Sequence, residues 1–437
     1  MKTQQIAPQI APQIAPPLAE LFDVKVHTTC RSCDSGNLIS VLDLGNLYVS
    51  NFVDIPDPAP CPRVPLELLL CSRCSLLQLR HTTPPEWLYR QYWYKSAVNA
   101  STRAALADVT TKIADFAGLS CGDAVLDIGC NDGTLLRSYL VPGIRRIGFE
   151  PAINLNRDAS QGTDQIVPDF FSAGPVAGER FRVVTSIAMF YDLEDPNKFV
   201  ADIASVLTAD GVWVIEVQYL PLMIAKNAFD TVCHEHLEYY SLASLEPLLA
   251  RHGLVVADVE TNDVNGGSLR AYVVHEGSRA AVPSRRDRVR SMRGREAAQA
   301  LDLPPTYENL GARILGIGDR LNAWVRRERA NGRVISAYGA SAKGNTLLQV
   351  FGLDHSLIHS TAETNPEIWG KYTAGTWIPV VPVAEARAQS DDFLILAWYS
   401  LAETQEREAQ FVKRGGKLVT PLPQPQVNDS TGAQVIK

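Results

Sequence analysis

The sequence lacks several features that would place it in a definite class of protein. No stretch approaches the ~18–20 uninterrupted apolar residues of a transmembrane helix, so we expect no membrane partner. Basic residues are not in excess: the formal net charge is -7, which predicts no nucleic-acid partner. The metalloprotease sequence H-E-x-x-H and the full dinucleotide-binding sequence G-x-G-x-x-G are both absent. What remains is the composition of an ordinary globular protein.

The length and the first residues give the broad organisation. The 437 residues predict two or three domains, because single cores rarely outgrow ~250–300 residues. Residues 1–24 begin with repeats of Ile-Ala-Pro-Gln and predict a flexible arm, since prolines remove backbone donors and favour extended chain. This start lacks the apolar centre of a signal peptide. Together with the arrangement of the eight cysteines, it predicts a reduced, cytoplasmic protein.

Two C-x-x-C pairs, roughly forty residues apart, predict a metal site in an amino-terminal domain, 25–85. Each pair can turn both sulfurs toward one point, and two pairs complete a tetrahedral thiolate shell for Zn²⁺. Cys61 is a possible rival ligand, and disulfides or free thiols are the alternatives. Because four cysteines leave no position for water, the site is predicted to be structural. The predicted ligands are Cys30, Cys33, Cys71 and Cys74.

A glycine turn between a strand and a helix is the central pattern of the chain. Residues 125–128 read as a buried strand and residues 134–136 as the start of a helix. Glycines allow the backbone to approach a ligand, and a carboxylate at the strand end can bind an amino group. The four marked positions are Asp127, Gly129, Asn131 and Gly133. They resemble motif I of class I S-adenosylmethionine (SAM) methyltransferases; the alternative is a turn without a ligand.

Other residues are predicted to complete this cofactor site. Glu150 ends the second strand about twenty residues later, where a carboxylate can accept both hydroxyls of a ribose. Asp169 and Phe170 follow the third strand, where they can contact an adenine, unless the phenylalanines there only pack in the core. The aromatic segment before the first long helix can place Tyr94 and Ser96 over the pocket. Its alternative role is to seal the amino-terminal domain onto the next one.

A histidine-rich run at 229–242 contains two of the chain's eight histidines. His234 and His236 could ligate a metal from one face of a strand. They could also act as general bases, because imidazole titrates near neutral pH and Glu235 can tune it. The remaining alternative is that the histidines cap a helix. Tyr239 lies in the same run and is a further catalytic candidate.

The last third of the chain predicts two more units. Segment 286–330 has helical patterns with mixed charges and is interpreted as a helical bridge. Segment 331–437 begins a second α/β domain, in which a strand, a small-residue turn and a helix follow one another. Free N–H groups at that helix start, together with Ser341 and Lys343, predict an anion site, against a plain strand–turn–helix junction. The polar tail after Pro421 is predicted to add little.

Taken in order, the motifs resemble a three-domain methyltransferase family that includes the nucleotide-sugar 3-C-methyltransferases of deoxysugar biosynthesis. The shared pattern runs from the C-x-x-C pairs through DIGCNDGTLL, GFEP, DxxCHEHLEYYSL, NGGSLR and YGASAKGNT. The resemblance implies an α/β fold with a class I SAM methyltransferase (Rossmann-like) core at 86–285. It also implies an amino-terminal zinc-ribbon-like domain and a carboxy-terminal Rossmann-like α/β substrate domain. SAM and structural Zn²⁺ are the implied cofactors.

The implied reaction is C-methylation of a 4-keto-6-deoxy sugar carried on a nucleoside diphosphate, through an enolate. Glu235 and His236 match the family's catalytic pair, with His236 as the base. The sequence departs from the sugar enzymes at Cys233, where they typically have tyrosine, and after the fourth strand, where they tend to have asparagine and histidine. Candidates for the missing roles are His234, Tyr191 and Tyr239. The predicted substrate-binding residues are Tyr191, Asn265, Ser341 and Lys343.

Three other readings stay open from the sequence. The first is an O-methyltransferase acting on a sugar or another small molecule. The second is a non-catalytic protein that keeps the SAM fold for binding, and the third is a zinc-dependent nucleic-acid binder, which the acidic balance disfavours. A small-molecule partner is expected, and the chain is predicted to be a monomer or a homodimer.

Overall fold

The computed structural model describes residues 24–58, 61–280 and 283–437. The predicted flexible arm, 1–24, lies outside these ranges except for its last residue. Within the described ranges, no helix is both long enough and apolar enough to cross a membrane.

The amino-terminal region is built from short strands around one long hairpin. Its strands are β1 (Lys25–Val26), β2 (Leu38–Tyr48), β3 (Phe52–Val53), β4 (Arg63–Cys71), β5 (Leu77–Leu79) and β6 (His81–Thr82). β2 and β4 pair antiparallel. Leucines at alternate positions, such as Leu66 and Leu68, are fully buried, which gives the sheet one apolar face.

The central region alternates strands and helices. Its elements are α1 (Pro85–Tyr89), α2 (Ala100–Ala117), β7 (Ala124–Ile128), α3 (Thr134–Ser138), β8 (Arg145–Phe149), α4 (Asn156–Ala159), β9 (Gln165–Val167), β10 (Phe181–Ile187), α5 (Pro196–Val206), β11 (Leu207–Gln218), α6 (Leu220–Ala225), β12 (Glu238–Tyr239), α7 (Leu242–Ala250), β13 (Leu254–Asn262) and β14 (Ser268–His275). Local sequence sets some of the helix starts. Asp195 caps α5 by accepting from the Lys198 N–H, and a capping box at Ser241 begins α7.

The central sheet has seven strands in the order β13-β14-β11-β10-β7-β8-β9. Strands β7 to β11 run parallel, whereas β14 is antiparallel to its neighbours β11 and β13. After β9 the chain returns to the other side of β7, so the strand order reverses between β7 and β10. Ligands of open α/β sheets bind at the carboxyl ends of strands at such a reversal. The glycine turn follows β7 and therefore lies at this position.

The carboxy-terminal region starts with two helices and continues as a second α/β sheet. Its elements are α8 (Pro283–Ala297), α9 (Pro304–Ala330), β15 (Ile335–Tyr338), α10 (Ala342–Val350), β16 (Thr361–Glu363), β17 (Tyr372–Thr373), β18 (Val380–Pro382), α11 (Val383–Gln389), β19 (Asp392–Ile395), α12 (Leu401–Arg407), α13 (Ala409–Lys413), β20 (Lys417–Thr420), β21 (Gln426–Asp429) and β22 (Gly432–Val435). The sheet order is β18-β16-β15-β19-β20-β21-β22, parallel as far as β20. The prediction for the tail was wrong: β21 and β22 extend this sheet as an antiparallel hairpin.

The three regions interlock instead of packing as separate units. β12 from the central region pairs with β5, so the amino-terminal sheet has the order β12-β5-β4-β2. β3 pairs with β17 of the carboxy-terminal region. One buried core joins β2 and β4 to α9 and the carboxy-terminal sheet, with Leu42, Leu66, Leu321 and Leu394 among its members. The residues between β11 and β12 therefore lie where all three regions meet.

Candidate active site

The glycine turn after β7 has a backbone that only certain residues tolerate. φ is +70° at Gly129, +52° at Asn131 and +78° at Gly133. Asparagine is among the few residues with a Cβ that adopt this left-handed region readily. A Cβ at Gly133 would lie 2.8 Å from the Ala159 carbonyl oxygen, so a larger residue would push the turn apart. The three positions keep the turn close to the strand ends.

Two buried carboxylates face this turn. Glu150 follows β8 and accepts hydrogen bonds from the N–H of Asn131 (2.7 Å) and of Ala152 (2.8 Å). Asp127 accepts one from the Thr185 hydroxyl (2.6 Å). Burial raises the pKa of both acids to about 7. Buried acids of this kind are suited to hydroxyl and ammonium donors, and the ribose diol and amino group of SAM provide such donors.

The aromatic segment before α2 lies directly over the turn. The Asn131 side chain donates to the Tyr94 carbonyl (3.0 Å) and accepts from the Ser96 N–H (2.9 Å). Asp132 accepts from the N–H of Ala97 (2.8 Å). The structure therefore brings the two predicted residues of this segment, Tyr94 and Ser96, together with the turn. Because the contacts use backbone groups, side-chain patterns alone would not specify them.

Asp169 and Phe170 follow β9 and lie beside Arg90, near the start of the aromatic segment. An Asp169 oxygen is 3.3 Å from an Arg90 nitrogen, and the Arg90 guanidinium lies 5.0 Å from the centre of the Phe170 ring. Phe171 turns inward and packs edge-on against Phe149, with 5.1 Å between the ring centres. Core packing therefore describes Phe171, whereas Phe170 is half-buried beside the Arg90 guanidinium.

The His loop (residues 229–239) carries the second group of candidates. His236 Nδ1 lies 2.8 Å from the Thr231 carbonyl oxygen. Because a carbonyl only accepts, Nδ1 carries the proton and Nε2 keeps a free lone pair. Burial lowers the pKa of His236 to about 3, and the nearby Lys343 adds to this effect. The ring is neutral near pH 7 and packs 4.4 Å from the Tyr191 ring, centre to centre.

Glu235 and Cys233 lie next to His236. Ligand atoms of these three residues are all within 4.8 Å of one another, an arrangement that could in principle hold a metal ion. Burial raises the pKa of Glu235 to about 7, whereas the Lys343 charge opposes that rise. The Lys343 ammonium beside the cluster disfavours a second cation. A neutral imidazole next to a carboxyl group of raised pKa can instead take part in proton transfer.

The expectation that His234 and His236 share one face of a strand was wrong. The chain turns at 234–235, and β12 begins only at Glu238. As a result His234 faces the amino-terminal sheet, where its Nε2–H donates to the Val64 carbonyl (2.9 Å). The Tyr239 hydroxyl donates to the His236 carbonyl (3.0 Å), and Tyr239 and His236 line the same small cavity. The hydrogen bonds of His234 and Tyr239 both hold the loop in place.

The predicted substrate residues come from two regions. Lys343, at the start of α10, reaches the His loop: its ammonium donates to the Asn265 carbonyl (3.3 Å) and lies 5.4 Å from the Tyr399 ring centre. Burial lowers its pKa, and the charges of Asp230, Cys233 and Glu235 oppose that shift. Ser341 accepts from the Gly344 N–H (3.1 Å) and so caps α10. The carboxy-terminal region thus places the Lys343 ammonium near His236.

Sequence reasoning missed three residues at this site. Asp230 accepts from the Trp398 indole N–H (3.0 Å), which joins the His loop to the carboxy-terminal sheet. The Tyr89 hydroxyl donates to the Glu235 carbonyl (2.9 Å). Glu363 is the last residue of β16 and accepts from the Ala340 N–H (2.8 Å), much as Glu150, directly after β8, accepts from the Asn131 N–H. Asp230 stands inside the quoted DxxCHEH motif, so its position was a usable signal.

The four predicted metal ligands lie together in the amino-terminal region. Sγ atoms are 3.6 Å apart for Cys30 and Cys74 and 3.6 Å apart for Cys33 and Cys71, and all four are within 4.8 Å. A tetrahedral site with Zn–S bonds of ~2.3 Å requires sulfurs ~3.8 Å apart, so the donor set fits Zn²⁺. Cys61 lies outside this cluster, near the Asp57 carbonyl. None of the eight cysteines forms a disulfide in the described chain.

Comparisons with known proteins match consecutive parts of the chain. Three protein-family profiles fit: a zinc binding domain over 30–89, a methyltransferase domain over 99–259 and a C-methyltransferase C-terminal domain over 263–423. The chain is 31% identical to the C-methyltransferase NovU of Streptomyces niveus over 406 residues, which cover 91% of this chain and 96% of that protein. The sequence matches follow the order of the three regions described above.

Similar solved structures cover a smaller part of the chain. The mitomycin 7-O-methyltransferase MmcR is 16% identical, with a TM-score of 0.34 and coverage of 41% of this chain and 55% of that one. The 1,6-didemethyltoxoflavin-N1-methyltransferase of Burkholderia thailandensis is 15% identical, with a TM-score of 0.32 and coverage of 40% and 80%.

Proposed function

Because this chain belongs to the family of three-domain, SAM-dependent C-methyltransferases, we propose that it methylates a carbon of a nucleotide-linked 4-keto-6-deoxy sugar. One observation carries the proposal. His236 Nδ1 is committed to the Thr231 carbonyl, so Nε2 can take a proton from the acceptor. This ring packs against Tyr191, which follows β10 of the central sheet, and the charge of Lys343 from α10 acts on it. C-methylation beside a ketone requires a base placed between a donor site and an acceptor site.

The cofactors of the enzyme are SAM and structural Zn²⁺, the latter at the four-cysteine site. SAM, when bound, supplies an electrophilic methyl group. We propose that the turn and its cover hold it, with Glu150 on the ribose hydroxyls and Asp127 near the amino group. Burial raises the pKa of both acids to about 7, so each is partly protonated near neutral pH. Each carboxyl group can therefore donate or accept a hydrogen bond, which supports this role. The full proposed set is Asp127, Gly129, Asn131, Gly133, Glu150, Asp169, Phe170, Tyr94 and Ser96.

The proposal of a nucleotide-linked acceptor is supported by a parallel between the two sheets. In the central sheet the acid after the second strand accepts from a turn N–H, with Glu150 2.7 Å from Asn131 N. In the carboxy-terminal sheet Glu363 lies 2.8 Å from Ala340 N in the same relation. Since the first arrangement suits a nucleoside, the second suits another one. Lys343 and Ser341 stand in that second turn and its helix, close to the His loop.

The proposed chemistry uses the residues around His236. Nε2 takes the proton from the carbon beside the ketone, and the electron pair left behind becomes an enolate. The Lys343 ammonium stabilises the negative charge that develops on the acceptor. Glu235 stabilises the imidazolium that forms, because its carboxyl lies within 4.8 Å of the ring. Bound SAM would supply the methyl group that the enolate carbon takes, with S-adenosylhomocysteine as the leaving group, and His236 Nε2 would then release its proton to solvent.

The test is incubation of the purified enzyme with a panel of nucleoside-diphosphate 4-keto-6-deoxy sugars and methyl-labelled SAM. Mass spectrometry finds the labelled product, and NMR locates the new methyl group. We expect a carbon–carbon bond beside the ketone. A methyl group on oxygen would instead support the O-methyltransferase reading, and no product from any member would reject the acceptor class.

Solvent exchange gives a second measure of the same step. In D₂O, with S-adenosylhomocysteine in place of SAM, we expect the acceptor to exchange the proton beside its ketone. The His236→Ala variant should abolish that exchange, whereas an acceptor whose hydroxyl is methylated would show none in either protein.

The organisation of the chain is proposed on the same grounds. We place the zinc-binding domain at 25–85, the methyltransferase domain at 86–285, the helical bridge at 286–330 and the substrate domain at 331–437. Eight unpaired cysteines support a reducing, cytoplasmic setting, and the net charge of -7 supports a small-molecule partner over nucleic acid. A monomer or a homodimer is expected, which light scattering after size-exclusion chromatography will distinguish.

A further inference from the structure

The zinc region is fastened to the His loop by a continuous set of contacts. β12 ends the loop and pairs with β5, Glu238 opposite Gln78 and Tyr239 opposite Leu77. The Leu79 N–H donates to the Leu237 carbonyl (2.9 Å), which extends the pairing by one more bond. β5 begins three residues after Cys74, the last metal ligand. The strand that follows the proposed base is therefore held by the strand that follows the metal site.

Arg31, which lies within the first C-x-x-C pair, forms hydrogen bonds with the same strand, β5. The Arg31 guanidinium donates to the Leu79 carbonyl (2.5 Å) and to the Thr82 hydroxyl (2.7 Å). Its backbone N–H donates to the Gln78 side chain (2.9 Å). Arg31 directly follows Cys30, so a metal that orders the cysteine pair also orders this guanidinium. A single residue, Arg31, therefore connects the metal ligand Cys30 with β5.

Arg31 also faces the loop itself. Its Nε lies 3.8 Å from a carboxylate oxygen of Glu238 and 3.8 Å from one of Glu194. The Arg31 and Glu238 side chains are both fully buried, and in the described chain neither Glu238 oxygen has a hydrogen-bond partner. Burying such a carboxyl group is costly without a neighbouring positive charge. The position of Glu238, two residues after the base, therefore depends on Arg31.

His234 forms a third contact with the amino-terminal sheet, on the amino-terminal side of His236. Its Nε2–H donates to the Val64 carbonyl of β4 (2.9 Å), and the ring is buried. The loop is thus tied to the amino-terminal sheet before His236, by His234, and after it, by β12. The two contacts lie on either side of His236 in the chain, and the ring of His236 must be placed to within a fraction of an ångström.

We propose that Arg31 and His234 are positioning residues for methyl transfer, through which the Zn²⁺ domain holds His236 in register with the cofactor and acceptor sites. The inference rests on the proposed role of His236 as the base. A misplacement of about 1 Å in a reacting group can cost roughly 10²-fold in rate. The zinc domain then contributes to kcat by geometry, although no metal ligand lies at the reacting centre.

The decisive variant is Arg31→Gln, compared with Arg73→Gln. Arg73 lies inside the other C-x-x-C pair and is exposed to solvent, so its variant tests the loss of an arginine beside the metal without loss of the contacts above. For Arg31→Gln we expect kcat to fall roughly 10- to 10²-fold. The KM for SAM, its calorimetric affinity and the zinc content should stay within twofold of wild type. Arg31→Lys keeps the charge but cannot hold both acceptors, and should recover part of the loss.

Hydrogen–deuterium exchange supplies a readout that needs no acceptor. In Arg31→Gln and in His234→Ala, peptides covering 233–240 should exchange several-fold faster, whereas peptides covering 124–150 should not change. Equal acceleration in both segments would show general destabilisation and overturn the inference. So would wild-type exchange at 233–240 together with wild-type kcat. If instead the loop exchanges as expected but no acceptor is turned over, the proposed function fails and the positioning role stands.

Discussion

Glu235 offers the sharpest test of the proposed chemistry, because burial makes His236 a weak base when it acts alone. A pKa of about 3 in place of 6.5 makes protonation of the ring about 5 kcal/mol less favourable than in water. An ionised carboxylate within 4.8 Å restores at least about 3 kcal/mol at an effective dielectric constant of 20. Replacing Glu235 with glutamine removes this term, and we expect kcat to fall by roughly 10²-fold.

The pH dependence follows from the same pair. Burial raises the pKa of Glu235 to about 7, so the carboxyl is mostly neutral below pH 7 and ionised above it. His236, with a pKa of about 3, is already unprotonated over that range and contributes no titration there. Activity should therefore rise with pH through about 7, and this limb belongs to Glu235. The Glu235→Gln enzyme should lose the limb and become flat from pH 5.5 to 9.

The assay is kcat against pH at saturating SAM and constant ionic strength, with the sugar nucleotide that the panel identifies. Glu276→Gln, at an exposed position on the far end of β14, is the matched control and should keep the wild-type profile. An acid limb near pH 7 that persists in Glu235→Gln would refute the reasoning. A limb near 6.5 that disappears only in a His236 variant would show that the histidine itself titrates.

Three further changes test the remaining parts of the site. His236→Ala should lower turnover by about 10²–10⁴-fold with SAM affinity nearly unchanged, and turnover within a few-fold of wild type would remove this residue from the mechanism. Glu150→Ala should weaken SAM binding about tenfold or more in calorimetry, because it loses both the ribose contacts and the bond to Asn131 N, while zinc content stays the same; undiminished affinity would place the ribose elsewhere. Cys30→Ser should release zinc, measured by elemental analysis, and lower the melting temperature, and wild-type protein without bound metal would contradict the four-cysteine site.

The interlocking of the three regions has a consequence for the proposed acceptor pocket. Lys343 and Trp398 come from the carboxy-terminal region, whereas Asp230 and His236 belong to the loop between β11 and β12. The amino-terminal sheet supplies none of these four side chains, yet it holds the loop on both sides of His236, through His234 and β12. A substitution far from the pocket, in any of the three regions, can therefore alter turnover without touching either ligand.

Local sequence was sufficient for the geometry of the glycine turn, at which we propose the cofactor binds. Glycine and asparagine at 129, 131 and 133 are required by backbone conformations that other residues avoid, so spacing alone predicted the turn. Glu150 followed from the rhythm of strand and helix, since the second strand of such a sheet ends beside the first. The four cysteines likewise converge because each pair needs only a short turn. These features depend on neighbours in the chain, which a sequence displays directly.

The arrangement of the His loop, at which we propose the acceptor binds, depended on tertiary structure. Whether the His-x-His run was a strand or a turn was decided by β12 pairing with β5, a strand about 160 residues earlier. That pairing sent His234 to the amino-terminal sheet and left only His236 facing the pocket. Asp230, Tyr89 and Lys343 meet there because three regions pack on one core, and no local pattern encodes such a meeting. The sequence by itself determined which chemical groups were available and how each turn could bend. Which of them face one another was decided by long-range packing, because the burial of apolar faces sets the relative positions of sheets whatever polar residues their loops carry.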